Sequence, residues 1–213
     1  MSETVAFALL CFTSFITLMN PLGIMPVFMT MTGNLSAKQR RFTAQKAVIV
    51  AFFTLLAFAF SGQLLFDFFG ISVNSFRVVG GIIFFLMGYD MLQARLSSVK
   101  FNKKEEEKEY VNDISITPLA IPMICGPGAI TNSIVLMESA HTLLHQIILI
   151  STILLICFIT FLVLWSSSRI IKLLGDTGNM IMMRLMGLIV MVIAVEFLFS
   201  GLRPILREIF GVM

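Results

Sequence analysis

Six long apolar stretches dominate the chain, and short polar segments separate them. The stretches cover roughly residues 5–31, 47–69, 75–94, 115–137, 145–166 and 181–201. Each stretch reaches about 18 residues or more, which is the length that an α-helix needs to cross a bilayer. The pattern therefore predicts an all-α polytopic membrane protein with six transmembrane helices.

Composition supports the same class of protein. The 213 residues are 58% hydrophobic and 13% charged, whereas about a quarter of the residues in soluble domains are charged. The first residues, MSETVAFALLCF, lack a basic segment, so we expect no cleavable signal peptide. Cys11, Cys125 and Cys157 lie in apolar stretches, and we expect them to pack as small hydrophobic side chains without a disulfide framework.

Basic residues are concentrated in the segments that follow the first, third and fifth apolar stretches. Eleven residues belong to this set: Lys38, Arg40, Arg41, Lys46, Arg95, Lys100, Lys103, Lys104, Lys108, Arg169 and Lys172. The segments that follow the second and fourth stretches contain none. The positive-inside rule then places the basic segments in the cytoplasm and both termini on the extracytoplasmic side.

Matching motifs at a fixed spacing indicate an internal duplication. LMNPLGI resembles ICGPGAI, with Pro21 and Pro127 separated by 106 positions, and FRVVGG resembles MRLMGL, with Arg77 and Arg184 separated by 107. Each half contains three stretches, an odd number, so the second half enters the membrane upside down, a common plan among secondary transporters. The predicted fold is two inverted three-helix repeats, at 1–97 and 114–213, joined by a charged cytoplasmic linker at 98–113.

Helix-breaking residues interrupt the first and fourth stretches near their middle. Proline removes a backbone donor, and freed backbone groups are tolerated at membrane depth only inside protein or beside a polar cavity. Broken helices 1 and 4 would present amides at one half-helix end and carbonyls at another, which suits both charges of a zwitterion. The alternative is that these residues serve packing alone. The candidate substrate-binding residues are Asn20, Pro21, Gly23, Gly126, Pro127, Gly128, Thr131 and Asn132.

Four charged residues fall within or at the edges of the third and sixth stretches: Arg77, Asp90, Arg184 and Glu196. An ionisable residue inside a membrane is costly and marks a functional hypothesis. The inverted arrangement predicts that Arg77 meets Glu196 near the outer face and that Arg184 meets Asp90 near the inner face. Such pairs would gate a pathway, couple it to an ion, or brace the two halves.

Other chemistry has little support in the sequence. No phosphate-binding loop, Ser–His–Asp order, metalloprotease signature or basic nucleic-acid surface is recognisable. His141 and His145 have helical spacing but no third ligand, so we expect no metal site. We therefore expect that the protein is not an enzyme, binds no cofactor and has no nucleic-acid partner.

The motifs NPLGIMPVF, SFRVVGG, PLAIPMICGPGAI and MRLMGL resemble those of the MarC family, which comprises integral membrane proteins of bacteria and archaea. The resemblance runs nearly end to end. It implies six spans in the bacterial inner membrane and transport of small neutral amino acids, of the alanine and glycine type, coupled to protons or sodium. The implied partners are the lipid bilayer, a small zwitterionic substrate and the coupling ion, while a homo-oligomer stays open.

These observations favour a secondary transporter or exporter that binds its substrate near the bilayer midplane between broken helices 1 and 4. Two alternatives stay open at this point. One is a channel-like pore for small polar solutes, in which the same breaks form a filter. The other is a membrane protein without transport activity.

Overall fold

A computed structural model describes residues 3–93 and 110–211, without the side chains of 168–174 and 176. Throughout these described ranges the regular structure is helical, and they contain no strand. The helices are α1 (Glu3–Met19), α2 (Pro21–Met31), α3 (Ala37–Phe69), α4 (Val73–Leu92), α5 (Tyr110–Ile124), α6 (Pro127–Glu138) and α7 (Leu143–Phe210). Most of the predicted linker, at residues 98–109, lies outside the described residues.

Helix α7 is divided at Gly175, whose φ of 66° and ψ of 179° are not helical. Its first segment is Leu143–Ser167 and its second segment is Thr177–Phe210. These two segments, the α1–α2 unit, α3 and α4 make five helices that are long and apolar enough to cross a membrane. Helices α5 and α6 meet at an angle of 60° and would form a sixth span if taken together.

Helix α3 begins earlier than the predicted stretch at 47–69. The Ser36 hydroxyl accepts a hydrogen bond from the Gln39 backbone N–H, and the Gln39 side chain accepts one from the Ser36 backbone N–H. This capping box starts the helix in a polar segment, where hydropathy alone gives no signal. The result is a helix of 33 residues, about 50 Å long.

Two interruptions occur inside the apolar stretches. Asn20 adopts the left-handed conformation, with φ of 39°, between the end of α1 and the start of α2. Near the other interruption, Thr117 and Ile121 within α5 have extended backbone angles, and each precedes a proline through a cis peptide bond. Gly126 then forms the N-cap of α6 with φ of −79° and ψ of 167°.

Helix α4 runs antiparallel to the second segment of α7 along a line of small residues. A Cβ atom added at Gly88 would lie 2.8 Å from the carbonyl oxygen of Gly187, and one added at Gly81 would lie 2.8 Å from that of Ala194. One added at Gly201 would lie 2.5 Å from the carbonyl oxygen of Asn74. We call these six residues, which recur at seven-residue intervals on each helix, the glycine seam. Five of the six are glycine or alanine, and their small size lets the two backbones approach closely.

The remaining packing surrounds this pair of helices. Helices α1 and α2 pack against α7, while α3 packs against α5, α6 and α7. Fully buried side chains such as Phe15, Phe28 and Leu55 form one continuous core between them. Both interruptions contain buried residues of this core, which places them inside the bundle.

Candidate functional site

Asn20 organises the first interruption. Its backbone N–H donates to the Ile16 carbonyl at 3.2 Å, and its own carbonyl accepts from the backbone N–H of Gly23 at 2.9 Å. Its side-chain oxygen accepts from the same Gly23 N–H at 3.2 Å, so Asn20 caps α2. Pro21 has no N–H, which leaves the Thr17 carbonyl without its usual helical donor. The interruption therefore combines a capped helix start with at least one freed carbonyl.

A small internal cavity opens beside Asn20. Its volume is about 40 Å³, which is enough for water but well below the roughly 300 Å³ of typical ligand pockets. Eleven residues line it: Leu18, Met19, Asn20, Gly23, Ile24, Phe84, Met87, Met91, Met123, Val190 and Ile193. Asn20 supplies the polar side chain of this otherwise apolar lining. In the structure as described, the cavity is closed to a solute of amino-acid size.

The N-terminus of α6 forms the second part of the site. Gly126, Pro127 and Gly128 are all buried, and no side chain caps the helix. The first N–H groups of a helix have no partners within the helix, and together they carry a partial positive charge. A buried and uncapped start of this kind is a ready binding position for an anion such as a carboxylate.

Close packing explains why small residues occur at this helix start. A Cβ atom added at Gly126 would lie 2.7 Å from Cε1 of Phe84, and one added at Gly80 would lie 2.8 Å from Cγ of Pro127. Gly128 has more room, because its nearest neighbour would be the tip of Leu18 at 3.0 Å. Helices α1 and α4 therefore enclose the start of α6.

Two polar side chains follow on α6 without partners. Thr131 is 2% exposed, and its hydroxyl has no hydrogen-bond partner within the described residues; the same holds for the buried side-chain nitrogen of Asn132. Side chains on a helix tilt toward its N-terminus. Buried polar groups are almost always hydrogen-bonded, and an exception calls for an explanation such as an absent ligand.

The predicted site residues thus form two groups. Asn20, Pro21 and Gly23 surround the cavity, whereas the five candidates from Gly126 to Asn132 do not line it in the described structure. Leu18 and Phe84 connect the groups, since each lines the cavity and each also lies against a glycine of the α6 start. The sequence predicted a shared space between the interruptions, and these two side chains stand between them.

The four membrane charges do not form the predicted pairs. Arg77 and Asp90 are half-buried, Arg184 and Glu196 are exposed, and within the described structure none of the four side chains has an ion pair or hydrogen bond. The reason is helical phase. Asp90 follows Gly81, and Glu196 follows Gly187, by nine positions, which is two and a half helical turns. Both acids therefore point away from the glycine seam.

The apolar wall of the cavity consists of residues that the sequence analysis did not single out. Phe84, Met87, Met91 and Met123 line the cavity. The spacing of the three residues on α4 by three and four positions was the available signal, because such residues share one helix face.

The fold and these helices define the class: the chain is an all-helical integral membrane protein. The MarC family of integral membrane proteins matches residues 5–206, and the chain belongs to this family. A UPF0056 membrane protein of Methanocaldococcus jannaschii is 39% identical over 92% of this chain and 95% of its own length. The UPF0056 membrane protein YvbG of Bacillus subtilis is 38% identical over 90% and 92%, respectively. No solved structure matches the chain.

Proposed function

We propose that the protein is a secondary transporter of small neutral amino acids, located in the bacterial inner membrane with both termini outside the cytoplasm. The observation that carries this proposal is the start of α6, which is buried, lacks a side-chain cap and is followed by the unpartnered Thr131 hydroxyl and Asn132 amide. A bound carboxylate would accept hydrogen bonds from the first N–H groups of α6 and from these side chains.

The opposite charge of a zwitterion would be bound across the cavity. An ammonium group needs acceptors, and the C-terminal end of α1 provides the freed Thr17 carbonyl together with a partial negative charge. Asn20 lies at the same end and faces the cavity. The substrate would therefore lie between the interruptions, with Leu18 and Phe84 turned aside.

Alternating access would follow from an inverted duplication of the helices, and the spacing of helix ends supports such a duplication. The N-caps Ser36 and Thr142 are 106 positions apart, as are Asn20 and Gly126. The glycines at positive φ that end α3 and divide α7 are 105 apart. We propose 1–97 and 114–213 as the two repeats, which meet along the glycine seam and would rock against each other.

Ion coupling belongs to the same proposal. A proton or sodium ion would bind at Asp90 or Glu196, because a carboxylate within a membrane segment is a functional candidate by default. The arginines Arg77 and Arg184 would then gate the pathway. A cavity of about 40 Å³ requires that the bundle opens before substrate enters.

Uptake by reconstituted protein tests the proposal. Proteoliposomes would be supplied with labelled alanine, glycine and larger amino acids, with and without proton and sodium gradients. We expect saturable uptake of the small substrates that shows counterflow and depends on one gradient. Linear and fast flux would indicate the pore instead, and absence of flux for the whole panel under every gradient would contradict transport of neutral amino acids.

One substitution connects the flux to the site. Thr131→Val keeps the shape of the side chain but removes a hydroxyl that has no partner in the described structure. Because an unsatisfied buried hydroxyl stabilises nothing, the melting temperature should stay equal or rise while uptake falls at least tenfold. The control is Thr160→Val, since that hydroxyl donates to the Ile156 carbonyl of its own helix at 2.8 Å. Equal uptake by both variants would remove Thr131 from the binding site.

A further inference from the structure

A groove runs along the outside of the bundle between α3 and the first segment of α7. Its volume is about 330 Å³, and its lining includes Arg41, Gln45, Val48, Phe52, Leu154 and Cys157. Val48 and Cys157 are buried and form its floor. Leu154 and Phe158 are each 55% exposed and stand along one side. The groove is therefore lined mainly by apolar side chains and is open toward the lipid.

The length of the groove matches the thickness of one leaflet of a bilayer. Arg41 lies over the ring of Trp165, with its guanidinium carbon 5.5 Å from the ring centroid. Phe52 and Leu154 are each eleven positions from these two residues, which corresponds to about 16 Å of helix. That distance is about half of the roughly 30 Å hydrocarbon core. With Arg41 and Trp165 at the membrane surface, the groove would extend from the basic end of α3 to about the membrane midplane.

The basic end of the groove contains a cationic side chain whose hydrogen-bond donors have no acceptor among the described residues. Arg40, the neighbouring residue, donates to the carbonyls of Thr32 and Gly33, and Lys46 donates to the Asn112 side chain. Arg41 makes no hydrogen bond or ion pair among the described residues and only stacks on Trp165. A stacked guanidinium keeps its N–H donors available for a phosphate.

We propose that this groove binds one anionic phospholipid. Arg41 and the Gln45 amide bind the phosphate, Trp165 lies at the headgroup level, and one acyl chain lies on the floor formed by Val48 and Cys157. Basic pockets between transmembrane helices on the cytoplasmic side bind anionic headgroups in this manner. The proposal goes beyond transport and does not depend on it, because lipid binding is measured without any substrate.

The single tryptophan of the chain makes the site directly measurable. The full chain would be reconstituted into phosphatidylcholine vesicles that contain brominated phosphatidylglycerol or, at the same mole fraction, brominated phosphatidylcholine. Quenching of Trp165 fluorescence, relative to unbrominated vesicles for each variant, gives the preference between the two lipids. We expect a preference for phosphatidylglycerol of roughly fivefold, the effect of about one basic residue near an anionic surface.

Three variants distinguish specific lipid binding in the groove from a general effect of positive surface charge. Arg41→Gln should bring the preference close to one, whereas Lys38→Gln, which removes the same charge outside the groove lining, should leave it unchanged. Val48→Phe fills the floor and should lower the preference while Arg41 stays in place. No preference in the wild type, an equal loss in the Arg41 and Lys38 variants, or an unchanged preference in Val48→Phe would each overturn the proposal.

Discussion

The contact between Gly126 and Phe84 makes a sharp prediction about the start of α6. The backbone of Gly126 has φ of −79°, which any residue can adopt, so only space limits a substitution there. In Gly126→Ala the new methyl would lie closest to Cζ of Phe84, 2.7 Å from Cε1 of the same ring and 2.8 Å from the carbonyl oxygen of Pro122. An ordinary carbon contact is about 3.5–4.0 Å, so the ring has to retreat by roughly 1.5 Å.

The size of the effect follows from this displacement. Overpacking a well-packed core costs about 1–3 kcal/mol. For a chain of this length each kcal/mol lowers the melting temperature by about 2–4 °C. We therefore expect Gly126→Ala to lower the melting temperature of the detergent-purified protein by roughly 6 °C, because about 2 kcal/mol is lost.

Gly128→Ala is the matched control for this measurement. It makes the same change two positions further along the same helix start, where the nearest atom is the flexible tip of Leu18 at 3.0 Å. It should shift the melting temperature by no more than about 2 °C, because a movement of a few tenths of an ångström relieves the contact. Both variants would be followed by thermal unfolding in one detergent, with size-exclusion chromatography as a check on folding.

A second substitution, at Phe84, distinguishes the steric clash from the effect of losing a good N-cap residue. Alanine is a poorer N-cap than glycine, and this loss persists whatever residue occupies position 84. The clash itself should largely disappear in Phe84→Leu, so the double variant should show a favourable coupling of at least about 0.5 kcal/mol. Equal losses for Gly126→Ala and Gly128→Ala, or additive effects in the double variant, would refute the described contact.

Three further predictions concern other contacts and use the same unfolding assay. Gly88→Ala and Gly187→Ala should each lower the free energy of unfolding by about 1–3 kcal/mol. The double variant should lose less than the sum, because either substitution already moves the two helices apart at the glycine seam. Fully additive losses would contradict the close contact between α4 and α7. Arg40→Lys should destabilise the loop after α2, because a lysine lacks the fork that binds two carbonyls; an unchanged melting temperature would argue against it. Asn20→Ala should cost about 1 kcal/mol through the lost cap, and Asn20→Gly, which accepts the positive φ, should recover part of it.

Much of the fold could be predicted from the sequence, because membrane crossing imposes a length and an apolarity that single segments reveal. The all-helical class and the family are confirmed. The predicted helix ends were less accurate where a capping residue determines the end. Helix α3, for example, begins after Ser36 in a polar segment. The predicted ion pairs already placed the third and sixth spans, which are α4 and the second segment of α7, side by side. The glycine contacts that join these two helices connect distant segments, and the sequence alone did not show them.

The candidate site was predictable in part. Proline and glycine indicate local backbone interruptions, so their positions along the chain could be read directly. The sequence could not show that Arg77 and Arg184 lack the predicted acidic partners, since pairing depends on the orientation of each helix around its axis. The spacing of Phe84, Met87 and Met91 indicated a shared helix face, but it could not show that Phe84 lies between Gly126 and the cavity, because only the folded bundle brings these contacts together.

The length of α3 has a consequence for how the protein stands in its bilayer. Its 33 residues measure about 50 Å, against a hydrocarbon core of about 30 Å. Even at a tilt of 40°, the upper end of the usual range, the helix would still rise through about 38 Å. The extra length of α3 has to extend beyond the acyl chains as exposed helix ends. Polar connections at these helix ends stand clear of the lipid, within reach of water-soluble proteases and labelling reagents.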